Sequence, residues 1–365
     1  MSRARDFADL AGSADAGGLT GRNMVANGEM TISQRGTSFS SLTASQYCLD
    51  RFSVDIGGGG AITVAQSTTT PADFKNSTSL TVATADSSIA AADAYRMTQA
   101  IEGQNMAHLN WGTSDAKAVT LSFYVRSSVT GTYGLGLANS AETENYVAEY
   151  SISSANTWEY KTITIPGPTS GTWLDTNGVG IGIRFDVGSG TNYNGTAGQW
   201  QTTSSKVYRT SSCVNWIATA SATWLITGVQ LEVGSSATPF EHRSFADELH
   251  RCKRYFQKSY TYPHAIGTNT SVGTYFCQRF NTNDRYFLLT KSFPVEMRAT
   301  PTKEIRDRNN SATDRINAYN GGATRIDIAS ISGGDAKTIA RYLDNNTGSG
   351  SDTVQEFHWT ANAEL

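Results

Sequence analysis

The sequence predicts an all-β protein, in which strands joined by small polar turns pack as antiparallel sandwiches. Ser and Thr together make up 85 of the 365 residues, and only 17% of residues are charged, against roughly 25% in typical soluble domains. Thr, Val, Ile and Tyr favour strands, whereas Gly and Ser favour turns. No apolar run reaches the length of a membrane span. The 7 Trp, 16 Tyr and 14 Phe residues argue against a wholly disordered chain.

Nine segments between residues 23 and 240 alternate apolar and polar residues with a period of two, which predicts short strands. They are residues 50–56, 61–65, 79–82, 95–99, 119–125, 133–137, 160–165, 179–185 and 224–233. The alternation gives each sheet one face toward the core and one toward solvent, as in an antiparallel sandwich. Gly134, Gly136, Gly180 and Gly182 fall on the solvent side, where a missing side chain lets another backbone or a ligand approach closely.

The densest charge cluster of the chain, residues 241–258, predicts an amphipathic helix. Phe245, Leu249, Cys252 and Phe256 share one face of this helix because they follow one another at helical spacing. Two interpretations fit this stripe: it packs on one sandwich, or it packs against copies of the chain about a symmetry axis. In the second case these four residues form an oligomer contact.

Strands resume after residue 260, which predicts a smaller C-terminal β-sandwich. The expected strands are residues 273–277, 286–289, 293–295, 324–328, 339–343 and 354–359. The chain is therefore expected to comprise a leader (1–22), a first β domain (23–240), a linking helix (241–259) and a second β domain (260–365).

No residue pattern in the sequence predicts catalysis or metal binding. The five His residues are scattered, and neither the HExxH pattern of zinc proteases nor the GxSxG pattern of serine hydrolases occurs. We therefore expect no enzyme activity and no cofactor, although a structural Ca²⁺ and a hydrolytic pair of carboxylates are compatible with the sequence. The net charge of −3 offers no basic surface for a nucleic acid.

The four cysteines, Cys48, Cys213, Cys252 and Cys277, stand alone in the sequence. Isolated cysteines are typical of reduced, buried thiols in a protein made in a cytoplasm. A bridge between Cys48 and Cys213 is an alternative that the spacing neither requires nor excludes. No apolar segment near the N-terminus indicates a signal peptide.

Several aromatic residues lie in turn-like segments beside Asn, Gln or Asp. A flat ring next to amide or carboxylate groups suits a sugar site, because the ring stacks on the pyranose and the polar groups bind its hydroxyls. Trp173, Tyr193 and Trp200 are therefore our candidate glycan contacts. The alternative interpretation is that each ring caps an open end of the sandwich.

Eight segments, taken in order, carry a resemblance to a known family. They are residues 23–36 (NMVANGEMTISQRG), 49–52 (LDRF), 101–105 (IEGQN), 109–113 (LNWGT), 120–128 (TLSFYVRSS), 155–160 (ANTWEY), 226–234 (ITGVQLEVG) and 238–243 (TPFEHR). Together they resemble the carbohydrate-binding-module-like jelly-roll domain of tailed-phage and prophage virion proteins, usually tail fibres. The resemblance covers roughly residues 23–258, and residues 293–301 resemble the downstream domain of the same proteins.

The resemblance implies a jelly-roll sandwich in a homotrimeric virion protein that is assembled in the host cytoplasm. The leader would then attach to other virion proteins through Arg3, Arg5, Phe7 and Leu10, and the β domains would bind host surface polysaccharide for adsorption through a tail or head fibre. Two alternatives fit the same sequence: a capsid or tail decoration protein without glycan specificity, and a polysaccharide depolymerase. The family has no ligand motif that can be carried over residue by residue.

Overall fold

The structure is a computed structural model. It describes residues 21–278, 286–288, 292–309, 313–320, 323–332, 335–339, 342–345 and 354–365. These residues fall into two compact units: the first holds residues 21–33, 37–245 and 365, and the second holds residues 34–36 and the described part of 246–364. The predicted attachment residues Arg3, Arg5, Phe7 and Leu10 lie outside the described residues. None of the helices in the described part of the chain has the length and apolar character of a membrane span.

The first unit is a jelly-roll β-sandwich made of two antiparallel sheets. One sheet has six strands in the order β1 (Ser38–Leu42), β4 (Ala61–Ser67), β5 (Ser77–Thr84), β13 (Thr223–Val233), β7 (Val119–Ser127) and β10 (Glu159–Ile165). The other has seven strands in the order β12 (Trp200–Thr202), β9 (Glu144–Ile152), β8 (Gly131–Ala138), β11 (Val179–Asp186), β6 (Tyr95–Glu102), β3 (Ser53–Ile56) and β2 (Gln46–Tyr47). Four short 3-10 helices span Gly103–Asn105, Ala107–Leu109, Thr191–Tyr193 and Trp216–Ala218. The predicted all-β fold class is confirmed.

The two sheets face each other across one hydrophobic core. Phe123 of β7 packs against Phe185 of β11 with ring centroids 5.2 Å apart, and against Tyr150 of β9 at 5.1 Å. Trp224 of β13 lies 6.1 Å from Phe185 and is fully buried. Because side chains alternate along a strand, the residues between these core positions point to the outer faces of the sheets.

Strand β9 is the longest of the strands that the sequence analysis missed, which also include β1, β2 and β12. It is buried on both faces over its first five residues, so Glu144 and Asn145 occupy buried positions that polarity alone would assign to a loop. The Asn145 amide nitrogen donates to Glu142 O at 2.7 Å and to Thr203 Oγ1 at 2.9 Å. These bonds satisfy a polar side chain that would otherwise be costly to bury.

Buried polar side chains join the two ends of the first unit, within segments that carry the family resemblance. Asn23 accepts a hydrogen bond from Leu231 N through Oδ1 and donates one to Val229 O through Nδ2, both at 3.1 Å. Glu241 accepts from Asn23 N at 2.8 Å, and its own N–H donates to Gln230 Oε1 at 2.8 Å. The segments of the resemblance that contain Asn23, Gln230 and Glu241 therefore hold the two ends of this unit together.

The second unit is built around one long strand, β21 (Val354–Asn362). Its described strands form a sheet in the order β14 (Phe256–Lys258), β21, β18 (Arg315–Asn320), β19 (Ala323–Ser332), β20 (Tyr342–Asn345) and β16 (Tyr286–Leu288), and β15 (Tyr275–Gln278) and β17 (Thr302–Arg306) also pair with β21. Phe357 and Trp359 of β21 are buried in its core together with Ile305 of β17.

Two predicted elements differ from the structure. Helix α1 spans only Phe245–Lys253, whereas the sequence predicts a helix over 241–258. The residues of β14 pair instead with the end of β21, so backbone pairing overrides the helical periodicity. Residues 293–295 form no strand, and the neighbouring Ser292 makes only an isolated bridge. Pro294 lacks the N–H group that a strand ladder requires.

The four residues of the predicted helical stripe differ in exposure. Cys252 and Phe256 are buried, whereas Phe245 is 48% exposed and Leu249 is half-buried. The first two therefore pack inside their own chain, and an oligomer contact through Phe245 and Leu249 stays a prediction.

Three of the four cysteines have described side chains. Cys48, Cys213 and Cys252 are buried and are not bridged, so the alternative bridge between Cys48 and Cys213 is not formed. The side chain of Cys277 lies outside the described part of the chain.

Candidate functional site

A groove of about 330 Å³ lies on the outer face of the seven-stranded sheet, where β11, β6 and β3 are neighbours. Its polar lining residues are Ser45, Gln46, Tyr47, Ser53, Asp55, Arg96, Thr98, Asn139, Ser140, Glu142 and Arg184, and its remaining lining residues are Ala100, Val179, Gly182 and Leu365. A groove with this many donors and acceptors suits a ligand that carries many hydrogen-bonding groups.

Strand pairing brings the charged residues of the groove together from three separate strands. Asp55 of β3 lies opposite Arg96 of β6, and Arg184 of β11 lies opposite Thr98 of β6. All four side chains point outward because their neighbours along each strand point into the core. Gly182, on the same face of β11, adds room beside them.

Two arginine–carboxylate pairs form the floor of the groove. Arg96 Nε donates to Asp55 Oδ2 at 2.7 Å, and the Thr98 hydroxyl donates to the same oxygen at 3.3 Å. Arg184 Nη2 donates to Glu142 Oε1 at 2.5 Å. Lys206 Nζ lies 2.9 Å from the other carboxylate oxygen of Glu142.

Both guanidinium groups keep N–H donors that are not used by these pairs. Nε and Nη1 of Arg184, and Nη1 of Arg96, have no hydrogen-bond partner among the residues that the structure describes. The two side chains are only 7% and 10% exposed. An unsatisfied buried donor costs about 1–3 kcal/mol, and more when it belongs to a charged group. These nitrogens are themselves buried, so a ligand oxygen would remove that cost only if a guanidinium group turned toward the groove.

The charges of the two arginines influence each other. Burial lowers the pKa of Arg184, the nearby charge of Arg96 lowers it further, and Glu142 raises it. Burial also lowers the pKa of Arg96, but Tyr208 and Asp55 outweigh this effect, so the pKa of Arg96 is raised overall. The groove floor therefore holds two cations that repel each other in a poorly solvated place.

A covering segment, residues 207–210, lies over the neighbouring strand β8. A Cβ at Gly134 would lie 2.6 Å from Tyr208 O and 2.8 Å from Arg209 Cα, so the absence of a side chain permits the predicted close approach. The Tyr208 ring packs against Arg96, with the guanidinium carbon 4.8 Å from the ring centroid. At Gly182, by contrast, the nearest atom to an added Cβ is Arg184 Nη2 at 3.4 Å, and this position lines the groove.

Trp173 and Trp200, two of the predicted glycan contacts, lie in one cluster with Trp111. The ring centroids are 4.7 Å apart for Trp111 and Trp173, and Trp200 lies 5.4 and 5.3 Å from them. Each indole N–H donates to a backbone carbonyl. Trp111 is buried and the other two are half-buried. This geometry is compatible with the predicted sugar contact and also with a capping role.

Tyr193, the third predicted glycan contact, packs elsewhere. Its ring stacks on Tyr208 with centroids 4.8 Å apart, and its hydroxyl donates to Ala92 O at 3.0 Å. Tyr208 in turn contacts Arg96 of the groove floor, so Tyr193 packs behind a residue that touches the floor. The structure brings together two of the three predicted aromatic residues.

Sequence reasoning missed the charged residues of the groove. Asp55, Arg96 and Arg184 each occupy a solvent-side position on a predicted strand, so one signal was present in the alternation. What the sequence does not contain is the order of the strands, which places these three positions beside one another.

The described residues contain no group of three or more His, Cys, Asp and Glu side chains that could hold a metal ion. One serine–histidine contact occurs in the second unit, where His358 Nδ1 lies 3.0 Å from Ser259 Oγ. His358 is fully buried, stacks on Tyr260 with centroids 3.6 Å apart, and has its other ring nitrogen 2.9 Å from Thr270 O. Both ring nitrogens of His358 are therefore held in contacts within the unit, and Ser259 is half-buried.

No protein-family model and no curated protein sequence matches the chain. Among solved structures, the chain is similar to the enzymatically active domain of tailspike protein 4 of bacteriophage CBA120, with 14% identity and a TM-score of 0.32 over 58% of this chain and 22% of that one. It is also similar to a family 11 carbohydrate-binding module of Clostridium thermocellum in complex with a mixed-linked tetrasaccharide (12% identity, TM-score 0.28, 56% of this chain and 97% of that one).

Proposed function

We propose that this chain is a non-enzymatic glycan-binding protein of a tailed-phage virion, and that the groove on the seven-stranded sheet binds the glycan. The observation that carries this proposal is the groove floor, where guanidinium groups with unused N–H donors lie among hydroxyl and amide side chains. Sugar hydroxyls can accept hydrogen bonds from such donors and can donate to the carboxylates of Asp55 and Glu142.

The size of the groove sets the size of the recognised segment. About 330 Å³ lies near the lower end of the roughly 300–1,000 Å³ range of small-molecule sites. The groove therefore fits a short stretch of a polysaccharide, and binding at one groove is expected to be weak. A homotrimer would strengthen it by presenting several grooves to one polymer.

Trp173 and Trp200 are the proposed second part of the site. Asn139, which lines the groove, donates from Nδ2 to Thr172 O at 3.1 Å, so the segment that carries Trp173 is attached to the groove wall. A glycan that extends past this wall meets the exposed parts of the two indole rings, which suit stacking on a pyranose.

The virion assignment rests on the eight sequence segments that resemble phage fibre domains. In this proposal the N-terminal leader attaches to other virion proteins, and the chain reaches the virion from the host cytoplasm. Cryo-electron microscopy of particles labelled with an antibody to this chain is the test. Particles that lack the label, although the infected cells contain the protein, would contradict the assignment.

Gly182→Phe tests the groove itself. The three atoms nearest an added Cβ at Gly182 all belong to the Arg184 guanidinium group, the closest at 3.4 Å, so the aromatic ring can occupy the groove without displacing backbone. Thr162→Phe is the matched control because Thr162 is exposed on β10 of the other sheet. On an array of bacterial surface polysaccharides, the control should bind like the unmodified chain, and Gly182→Phe should bind at least about tenfold more weakly.

Two results would contradict the proposal. Equal binding by both variants would show that the glycan does not occupy the groove. Release of new reducing ends from a bound polysaccharide would show that the protein is a depolymerase and not only a binding protein.

A further inference from the structure

We propose that the glycan bound in the groove is acidic, and that one sugar residue with a single negative charge contacts the guanidinium groups of Arg184 and Arg96. The charge can be a uronic-acid carboxylate or a phosphodiester, since both present oxygens to an arginine in a similar way. This inference rests on the proposed function of the groove as a glycan site.

The first argument is the charge around the groove. Four cations (Arg96, Arg184, Arg209 and Lys206) are paired with three carboxylates (Asp55, Glu142 and Asp186). Glu142 is shared between two of the cations, Arg184 and Lys206. Arg184 therefore has no carboxylate to itself, and a negative charge on the ligand would give this pair of cations a second partner.

The second argument is the position of the unused donors. Arg184 lies opposite Thr98, two residues along β6 from Arg96, so the two arginines rise from diagonal positions on neighbouring strands. Their unused donors are Nε and Nη1 of Arg184 and Nη1 of Arg96. These donors are buried, so an anionic group between the two side chains would accept from both of them once the guanidinium groups turn toward the groove.

The third argument is the kind of acceptor that two cations favour. A neutral hydroxyl can accept a hydrogen bond from either arginine but does not reduce the repulsion between them. A charged oxygen does both, and a carboxylate or phosphate can also accept two parallel N–H···O bonds from one guanidinium group. Poor solvation of the floor increases this difference.

The test compares acidic and neutral glycans on one array, with chemically matched pairs. Each acidic polysaccharide that binds is also presented after reduction of its carboxyl groups and after removal of its phosphodiesters by hydrofluoric acid. We expect binding to fall about tenfold or more after one of these treatments. A fall after reduction identifies a carboxylate, and a fall after hydrofluoric acid identifies a phosphodiester. Binding to the acidic form should weaken as the salt concentration rises.

Arg184→Gln supplies the second measurement, with Arg126→Gln as the matched control. Arg126 lies on β7 of the other sheet, where its Nε donates to Asn156 O at 2.8 Å. Arg184→Gln should lose binding to the acidic glycan about tenfold, whereas Arg126→Gln should keep it. Because the chemical treatments act on the glycan, they give an answer even if Arg184→Gln does not fold.

The outcomes separate this inference from the proposed function. The acidic ligand is overturned if the chain binds neutral glycans, or if its binding survives both chemical treatments. If Gly182→Phe still abolishes that binding, the groove remains a glycan site. Binding that is insensitive to Gly182→Phe, or an absence of glycan binding, overturns both.

Discussion

Replacing Gly134 by alanine tests how the covering segment is held against the sheet. The added Cβ would lie 2.6 Å from Tyr208 O and 2.8 Å from Arg209 Cα, whereas nonbonded carbon atoms prefer about 3.5–4.0 Å. Gly134 is held in β8 between β9 and β11, so the covering segment must move by about 1 Å to reach normal contact distances. This movement takes Arg209 away from Asp186, whose carboxylate lies 3.7 Å from its Nε.

The energetic cost can be bounded from these contacts. Extra atoms in a well-packed site cost about 1–3 kcal/mol, and breaking a buried ion pair costs about 3–5 kcal/mol. Asp186 is fully buried, but a shifted segment keeps part of its contacts. We therefore expect Gly134→Ala to lower the free energy of unfolding by about 2–4 kcal/mol, between these limits.

Gly182→Ala is the matched control on the neighbouring strand. The atoms nearest its Cβ would be those of the Arg184 guanidinium group, the closest at 3.4 Å, and alanine in a strand is favoured over glycine by roughly 0.5–1 kcal/mol. Its free energy of unfolding should therefore be unchanged or slightly higher. Urea unfolding followed by tryptophan fluorescence measures both variants, and six of the seven tryptophans belong to the first unit. Equal midpoints with equal slopes would refute the argument that the covering segment needs a glycine at 134.

Two further predictions concern the tryptophan cluster and His358. Trp111→Ala should lower the free energy of unfolding by about 3–5 kcal/mol because a buried ring is lost. Trp173→Ala should lower it by less than half as much because its ring is half-buried. Equal losses in urea unfolding would contradict the central position of Trp111. Burial lowers the pKa of His358 in the folded state. As the pH falls, the imidazole is therefore protonated in the unfolded chain before it is protonated in the folded one. This difference lowers the free energy of unfolding as the pH falls below the unfolded pKa of about 6.5. Hydrogen exchange of the β21 amides should show lower stability at pH 5 than at pH 7, and His358→Gln should make this difference smaller. An equal difference in the variant would mean that other titrating groups, and not His358, cause it.

Local patterns in the sequence were enough to predict most strands of the first unit. Alternation indicates a strand because successive side chains point to opposite faces of the sheet. Apolar residues such as Phe123 and Phe185 then occupy the core face. The same alternation placed Gly134 on the outer face, where a backbone segment does approach it. Strand β9 was missed although Tyr146, Tyr150 and Ile152 alternate with exposed Glu149 and Ser151 over its second half.

The helix shows where local preference gives way to contacts between distant residues. The stripe from Phe245 to Phe256 has helical spacing, yet the chain leaves the helix after Lys253. Residues 256–258 gain ladder hydrogen bonds with residues 360–362 of β21. A helix cannot supply this pairing, and its partner lies about a hundred residues further along the chain.

The all-β class, the alternation of each strand and the positions of the candidate aromatic residues follow from the sequence alone, because they depend on neighbours along the chain. The groove depends on the tertiary structure. Asp55, Arg96 and Arg184 come from strands that are far apart in sequence, and only the order β11, β6, β3 brings their side chains to one floor. Strand order is decided by the packing of the whole core, which no local pattern of residues encodes.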